Sequence, residues 1–421
     1  MDPRTSLPVV GMVGAGQLAR MTHQAAVALG QSLRVLAAKP DEPAALVAHD
    51  VVLGSHDDLA ALRRFAAGCD ALTFDHEHVP AEHLRVLVAE GVQVHPGPEA
   101  LVHAQDKLLM RRTLAGLGVP VPPFREVTRP EDAVRFGAEH GWPSVLKAVR
   151  GGYDGRGVWI LNTPVSAQRV VPELLAAGTP LMVEKCVAMR RELAALVARS
   201  PFGQGAAWPV VQTVQRNGIC VQVLAPAPGL DQELAQTAQE LALRVAGKLG
   251  VVGVLAVELF ETATGQLVVN ELAMRPHNSG HWTIEGAATS QFEQHLRAVL
   301  DYPLGSTWLR VPACVMANVL SAGAPVDVGS GMGVGSGMRM DERLHHLMAR
   351  HPAAKVHLYA KAERPGRKIG HVTVLGESMT LVRDVAVRSA GFLATGQWPD
   401  GLDVDGKADA DEQADVDGKA G

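Results

Sequence analysis

The chain has 421 residues, of which 47% are hydrophobic, and its 44 acidic and 39 basic side chains give a formal net charge of −5. A chain of this length exceeds one compact core and predicts two or three domains. The charges are mixed along the sequence, which argues against broad nucleic-acid binding. No run approaches the roughly 20 apolar residues that cross a bilayer, and the four cysteines form no CxxC pair. We therefore expect a soluble, cytoplasmic protein with reduced, buried thiols.

The first hundred residues alternate between strand and helix patterns. The apolar run LPVVGMVGAG ends in glycines, and the next stretch spaces Leu18, Met21, Ala25 and Leu29 as a helix does. Further short strands are predicted at SLRVLAA, DVVLGS, CDALTFD and GVQVHPG. This alternation predicts a doubly wound α/β domain, whose ligands lie beyond the carboxyl ends of its strands.

The first strand ends in a loop that fits GxGxxA, with Gly14, Gly16 and Ala19 at the fixed positions. A helix N-terminus at this point favours a phosphate or another anion. An NAD site would need an acid at the end of the second strand, where the sequence offers alanines and Lys39. The loop alone leaves an anion site, a dinucleotide site and a plain tight turn open.

A helical linker with a Pro-rich end near residue 122 precedes the stretch WPSVLKAVRGGYDGRGVWIL. Its two strand patterns flank a loop with four glycines and predict a hairpin that can close over a ligand. Lys147 ends the first of these strands, where it and the loop amides can grip nucleotide phosphates. The stretch is not a Walker A motif, because no GK[ST] opens a helix. An ordinary hairpin that uses glycine for its turn remains the alternative.

The stretch PLMVEKCVAMRRELAALVAR reads as a strand, a short connector and a second strand. The backbone of such a connector can read the edge of an adenine, with Glu184 or Glu192 near the sugar or the amino group. An exposed acid at a strand end is the alternative interpretation.

Two acids lie within the apolar strands of a hairpin predicted at GVLAVELFETATGQLVVNEL, namely Glu258 and Glu271. A buried carboxylate needs a cation or a hydrogen-bonding partner. Two carboxylates on adjacent strands, with Asn270 beside one, form an oxygen-ligand set suited to Mg²⁺. Structural ion pairing is the alternative.

The polar segment RPHNSGH follows this hairpin. Its His277 and His281 would share a zinc ion only on a helix, whereas Pro276 and Gly280 favour a loop. We interpret the segment as a polar wall from which Arg275 and its neighbours donate hydrogen bonds to an anionic substrate.

Taken in order, Lys147, the loop GGYDGRG, the connector VEKCVAMRRE, Glu258, the segment NELAMRPHNSGHWTIEG and the late stretch KAERPGRKIGHVTVL resemble the ATP-grasp superfamily. More closely, residues 8–390 resemble the N5-carboxyaminoimidazole ribonucleotide synthetases. The resemblance implies an ATP-grasp fold of class α/β and α+β. Its expected parts are an N-terminal Rossmann-like substrate domain at 1–105, a central flap domain at 106–190 and a C-terminal grasp domain with a small β-rich cap at 191–398.

This resemblance also implies a reaction, in which ATP transfers its γ-phosphoryl group to the co-substrate bicarbonate, with Mg²⁺ as the metal. The resulting carboxyphosphate, directly or as released CO2, carboxylates 5-aminoimidazole ribonucleotide in purine biosynthesis. The family is commonly a homodimer. Another ATP-grasp ligase, such as a formate-dependent glycinamide ribonucleotide transformylase or a biotin carboxylase, is the alternative, and an NAD-dependent oxidoreductase rests on the first glycine loop alone.

The resemblance assigns roles residue by residue. The implied ATP-binding residues are Lys107, Lys147, Gly151, Gly152, Gly155, Gly157, Glu184, Lys185, Cys186, Val187, Glu192, Gln215, Asn270 and Glu271. The implied Mg²⁺ ligands are Glu258 and Glu271. The implied ribonucleotide-binding residues are Gln17, Leu18, Glu77, Tyr153, Asp154, His277, Asn278, Lys361, Arg367 and Lys368. Those expected to act in the carboxylation step are Asp154, Arg156, Arg275 and Lys361. The sequence departs from the family pattern at Ala15, His76, Gln215 and Met274.

Two low-complexity segments have no assigned chemistry. The stretch GSGMGVGSGM predicts a flexible loop or a lid hinge. The acidic end, residues 399–421, repeats DVDGKA and has few apolar residues, which predicts a disordered tail without catalytic duty. Its DxDG pieces lack the full EF-hand pattern, so we expect no calcium site there.

Overall fold

A computed structural model describes residues 1–152, 155–322 and 338–399 of the chain. Tyr153 and Asp154, the glycine-rich segment at 329–337 and the predicted tail from residue 400 onward lie outside the described residues. Within the described ranges, no helix is long and apolar enough to cross a membrane. The cysteines are free, and Cys220 and Cys314 are buried as expected, whereas Cys69 and Cys186 are partly exposed.

The N-terminal part forms a parallel sheet with the strand order β3-β2-β1-β4. Its elements are β1 (Val9–Val13), α1 (Gln17–Ala28), β2 (Ser32–Ala37), β3 (Asp50–Leu53), α2 (Leu59–Ala66), β4 (Ala71–Phe74), α3 (Ala81–Ala89) and α4 (Pro98–Gln105). Strand β1 is buried along its whole length, which explains its unbroken apolar run. The strand predicted at GVQVHPG is wrong: Val94 makes only an isolated bridge to Leu72, since Pro96 follows and supplies no N–H for a ladder.

The central part forms an antiparallel sheet with the strand order β5-β8-β6-β7. Its elements are α5 (Lys107–Gly116), β5 (Phe124–Val127), α6 (Pro130–His140), β6 (Ser144–Ala148), β7 (Val158–Leu161), α7 (Pro164–Ala176) and β8 (Leu181–Lys185). The predicted glycine hairpin is confirmed, because Lys147 pairs with Val158 across β6 and β7. Phe136 of α6 and Val171 of α7 pack on Leu146 in the sheet, and the alternation along β6 turns Lys147 to the opposite face.

The remaining described residues build a large antiparallel sheet with the order β14-β13-β9-β11-β12-β15-β17-β16, with β10 paired to β9. Its strands are β9 (Met189–Arg199), β10 (Gly205–Ala207), β11 (Val211–Arg216), β12 (Ile219–Ala225), β13 (Gly253–Thr262), β14 (Leu267–Ala273), β15 (Ala313–Leu320), β16 (Lys355–Leu358) and β17 (Lys368–Gly376). Its helices are α8 (Gln232–Lys248), α9 (Thr283–Gly286), α10 (Gln291–Val299), α11 (Met340–Arg350), α12 (Met379–Thr395) and a 3-10 turn at Asn278–Gly280. The predicted acidic hairpin is confirmed, with Glu258 of β13 directly opposite Glu271 of β14.

Strand β9 carries cores on both of its faces. Leu193 and Val197 pack in the core that contains α8, whereas Leu196 packs with Trp208 and Trp282 on the other side. Because alternate residues of a strand point to opposite faces, β9 is buried on both. The centre of the large sheet is therefore packed on both faces.

Helix α10 joins the large sheet to the N-terminal sheet. Its Leu296 and Val299 share a core with Val10 and Met12 of β1. In addition, His295 bonds the Thr73 hydroxyl at 2.7 Å and accepts from the Val254 N–H at 3.1 Å. These contacts hold the carboxyl ends of the parallel strands against the large sheet.

Candidate active site

The sheets enclose a cleft of about 1670 Å³, and nearly all the candidate residues line it. Its walls include Gln17, Leu18, Glu77, Lys107, Lys147, Gly151, Gly152, Gly155, Arg156, Glu184, Lys185, Cys186, Val187, Glu192, Gln215, Glu258, Asn270, Glu271, Arg275, His277, Asn278, Lys361, Arg367 and Lys368. Gly157 is the exception among the described candidates. Its carbonyl accepts from the Ala148 N–H at 2.9 Å, so it closes the β6–β7 hairpin and does not face the cleft.

Two lysines project into one end of the cleft and contact acids from different elements. Lys107 is the first residue of α5 and its Nζ lies 2.7 Å from Glu271 Oε1. Lys147 Nζ lies 2.8 Å from Glu184 Oε2 and donates to Asn270 Oδ1 at 3.2 Å. Such a set of ammonium groups, amide and carboxylates can hold phosphate oxygens together with a divalent cation.

The two paired carboxylates of the acidic hairpin have different electrostatic environments. Burial raises the pKa of Glu258 to about 8, with the nearby Glu271 and Glu192 adding to the rise. Burial also acts to raise the pKa of Glu271, but the ammonium groups of Lys107 and Lys147 outweigh it and lower that pKa. A cation between the two carboxylates would relieve the repulsion that Glu258 experiences, and this donor set therefore suits Mg²⁺.

The connector after β8, which the sequence predicts to be the adenine hinge, also lines the cleft. The carboxylate of Glu184 forms buried ion pairs with Lys147 and with Arg111, whose Nε lies 2.6 Å away. Glu192 on β9 hydrogen-bonds Gln215 on β11, and burial raises the pKa of this glutamate. The side chain of Glu184 thus contacts Lys147 and Arg111, whereas that of Glu192 contacts Gln215.

At the first glycine loop, the N–H groups at the start of α1 donate to a carboxylate of the protein itself. Asp75, at the end of β4, accepts from the Gly16 N–H at 2.9 Å and the Ala19 N–H at 2.8 Å. Gly16 has no side chain to cap α1, so Asp75 supplies the cap from another strand. The carboxylate of Asp75 thus occupies N–H groups that, in one of the alternatives, an anionic ligand would bind, while Gln17 and Leu18 line the cleft.

The wall after β14 is held by contacts among polar side chains. Arg275 Nε lies 2.8 Å from Glu77 Oε1, so the large sheet and the N-terminal sheet meet here through a pair of predicted substrate residues. His277 Nε2 lies 3.3 Å from Glu258 Oε1. Burial lowers the pKa of His277 to about 3, with the Arg275 charge adding to the effect, and the imidazole is neutral at neutral pH.

The late basic stretch lines the same cleft. Its loop is fixed to the end of β15, because the Gly366 N–H donates to the Ser321 carbonyl at 2.9 Å, and Gly366 has a φ of +73°. Lys361 Nζ lies 5.9 Å from the centre of the Tyr359 ring. Arg367 and Lys368 line the same cleft, and the Lys368 charge acts on Glu258 of the acidic hairpin.

Some residues of this site were not predicted. Asp75 and Asn318 bond loop residues of the cleft, the latter through two amide contacts of 2.8 and 3.0 Å with Asn278. Their partners are distant in sequence, and no local pattern marks them. Arg111 does carry a signal, since it follows Lys107 by four residues and therefore shares its face of α5.

Comparison with known families gives matches in the same order along the chain. A ribonucleotide synthetase preATP-grasp domain matches residues 7–105, an ATP-grasp domain matches 112–292 and a phosphoribosylaminoimidazole carboxylase C-terminal domain matches 314–384. Together with the flap sheet and the acidic hairpin, these matches define an ATP-grasp ligase.

Individual relatives show to which family of ATP-grasp ligases the chain belongs. The N5-carboxyaminoimidazole ribonucleotide synthase of Mycobacterium tuberculosis (strain ATCC 25618 / H37Rv) is 62% identical over 396 residues, which cover 94% of this chain and 90% of that protein. The Corynebacterium ammoniagenes synthase is 48% identical, with 94% of each chain covered. The crystal structure of the Thermus thermophilus synthetase matches with a TM-score of 0.80 at 37% identity and covers 93% of this chain and 100% of that one. The chain belongs to the N5-carboxyaminoimidazole ribonucleotide synthase family.

A further structure shows what a relative binds. The Aspergillus clavatus synthase, solved with ADP and the aminoimidazole ribonucleotide, matches with a TM-score of 0.79 at 33% identity and covers 92% of this chain and 98% of that one.

Proposed function

We propose that the chain carboxylates 5-aminoimidazole ribonucleotide to N5-carboxyaminoimidazole ribonucleotide with ATP and bicarbonate, through carboxyphosphate, in purine biosynthesis. The observation that carries this proposal is one cleft lined by two lysines, two paired carboxylates and a basic loop. The names of the relatives agree with it and favour it over the other ATP-grasp ligases.

At the ATP end, Lys107 and Lys147 hold phosphate oxygens, residues 184–187 border the adenine and Glu192 holds the ribose. Gly151, Gly152 and Gly155 cover the phosphates; each has a positive φ between 72° and 80°, which lets backbone amides face a ligand. Mg²⁺ would be held by Glu258 and Glu271, with Asn270 beside them, and would neutralise the phosphate charge. The supporting observation is the register that sets these two glutamates opposite each other.

Gln17, Leu18, Glu77, His277 and Asn278 surround the ribonucleotide together with Tyr153 and Asp154. Lys361, Arg367 and Lys368 attract its 5′-phosphate. Arg275, Arg156, Lys361 and Asp154 act on the carboxylation step. The chemistry needs positioned charge more than a protein nucleophile, because the phosphoryl and carboxyl groups change charge as they transfer. We further propose the domain boundaries at residues 105, 190 and 398, a homodimer and a cytoplasmic location.

The test is ADP release by the purified protein with ATP, Mg²⁺ and bicarbonate, with and without 5-aminoimidazole ribonucleotide. We expect strong stimulation by the ribonucleotide and no stimulation when bicarbonate is removed. ATP binding without such stimulation would contradict the proposal, and a panel of glycinamide ribonucleotide with formate, and of biotin with bicarbonate, would then identify the acceptor.

A further inference from the structure

Arg111 lies beneath the nucleotide end of the cleft and does not line it. Its side chain is 1% exposed, and its Nε lies 2.6 Å from Glu184 Oε1. The other oxygen of the same carboxylate, Oε2, lies 2.8 Å from Lys147 Nζ. One buried carboxylate therefore bridges an arginine below the cleft and a lysine at its surface.

This arrangement fixes the lysine at two points. A lysine ammonium has three donors on a flexible four-carbon stem, and in this structure Lys147 directs donors at Glu184 and Asn270. Those two contacts define the direction of the remaining donor. The carboxylate can serve as a fixed point only while it stays charged and oriented, which burial alone would oppose.

Arg111 supplies what the carboxylate needs. The guanidinium is always charged and planar, so it holds one oxygen in a defined direction and leaves the other for Lys147. Without Arg111, Lys147 would be the nearest cation to Glu184 among these three residues. Glu184 would then compete with a ligand for the Lys147 ammonium. Its Nη1 is buried and has no hydrogen-bond partner among the described residues, and its Nε donates to Glu184.

We propose that Arg111 is a positioning residue for the nucleotide phosphates, acting through Glu184 on Lys147. This inference rests on the proposed role of Lys147 in holding phosphate. It assigns to Arg111 an effect on ligands that carry phosphates and none on the nucleoside part.

The test compares Arg111→Met with Arg112→Met on the same helix. Arg112 is a matched control, because its ion pair with Glu126 at 2.6 Å is about half exposed on both sides and lies outside the cleft. ADP and adenosine affinities are measured by isothermal titration calorimetry. We expect Arg111→Met to weaken ADP binding about tenfold and to leave adenosine binding within about twofold of wild type, with no change in Arg112→Met.

A double-mutant cycle tests the route of the effect. If Arg111 acts through Lys147, Arg111→Met should change ADP affinity less than about twofold in a Lys147→Met background. A tenfold loss in that background would show that Arg111 does not act through Lys147, and equal losses for ADP and adenosine would show a general structural role; either result overturns the inference.

A second variant covers the case in which Arg111→Met does not fold. Arg111→Lys keeps the positive charge but loses the planar donor fork, and we expect a roughly threefold loss for ADP with adenosine unchanged. Wild-type ADP affinity in Arg111→Lys, or a loss shared by adenosine, overturns the inference. These readouts are binding constants, so they stand apart from the ribonucleotide-stimulated ADP release that tests the proposed function.

Discussion

The acids of the cleft differ in their partners more than in their residue type. Glu271 contacts Lys107, and Glu184 is held between Lys147 and Arg111, so cations stabilise the charged form of each carboxylate. Glu258 faces other carboxylates, and burial raises its pKa to about 8. Within the acidic hairpin, Glu271 is therefore the carboxylate whose charged form the neighbouring lysines favour.

Replacing Glu271 by glutamine keeps the shape of the side chain and removes that charge. We expect kcat/KM for Mg²⁺-ATP, measured as ADP release, to fall by about 100-fold or more, because an amide oxygen is a poor substitute for a carboxylate on Mg²⁺. Steady-state kinetics with varied Mg²⁺ measure the effect. Glu126→Gln, in an exposed ion pair with Arg112, should retain wild-type turnover. Near-normal turnover in Glu271→Gln would remove this residue from the metal site.

Local patterns predict elements better than they predict what an element binds. The glycine hairpin and the acidic hairpin were predicted because the period of two and the turn residues are both local features. The role of the α1 N-terminus was not predicted, since the carboxylate that caps it belongs to Asp75, which lies 59 positions after Gly16. The strand predicted near Val94 failed because the following prolines override an apolar pattern.

The flap hairpin also contacts an element that its own sequence does not indicate. Gly155 has a φ of +78°, and a Cβ added there would lie 3.3 Å from Gly218 Cα in the β11–β12 turn. A methyl group would therefore combine the strain of a positive φ with a tight contact to backbone. The residue on the turn side of this contact, Gly218, also has a positive φ, of +74°.

Gly155→Ala should consequently weaken nucleotide binding. We expect about a fivefold loss of ADP affinity by calorimetry, from a strain of about 1 kcal/mol on the flap. Gly178→Ala is the matched control, because Gly178 has a similar φ of +75° and no atom within 4 Å of an added Cβ. That variant should lose stability and keep wild-type ADP affinity. An unchanged affinity in Gly155→Ala would mean that the flap does not hold the nucleotide in this position.

The joint between the N-terminal and large sheets is built from segments that are remote in sequence. His295 of α10 bonds Thr73, which precedes it by 222 positions, and Val254 of β13. Because the Val254 N–H occupies Nδ1, the neutral ring donates from Nε2 to the Thr73 hydroxyl. Such a contact has no signal in the sequence, since an isolated histidine on an amphipathic helix predicts nothing about its partners. The position of the N-terminal sheet against the large sheet, and with it the shape of the cleft, nevertheless depends on the His295 contact.

This joint should make the fold sensitive to acid. Burial lowers the pKa of His295 to about 3, whereas in the unfolded chain the value is about 6.5. Between these values the unfolded state binds a proton that the folded state does not, so the free energy of unfolding falls as pH decreases, by up to about 1.4 kcal/mol per pH unit for this histidine. His295→Gln should lower the free energy of unfolding at pH 7.5. It should also weaken the dependence of that free energy on pH by up to about 1.4 kcal/mol per pH unit, as measured by urea unfolding between pH 7.5 and 5. His345→Gln, at an exposed position on α11, should leave the slope at its wild-type value. A slope in His295→Gln equal to that of wild type would show that this ring does not stay neutral in the folded protein.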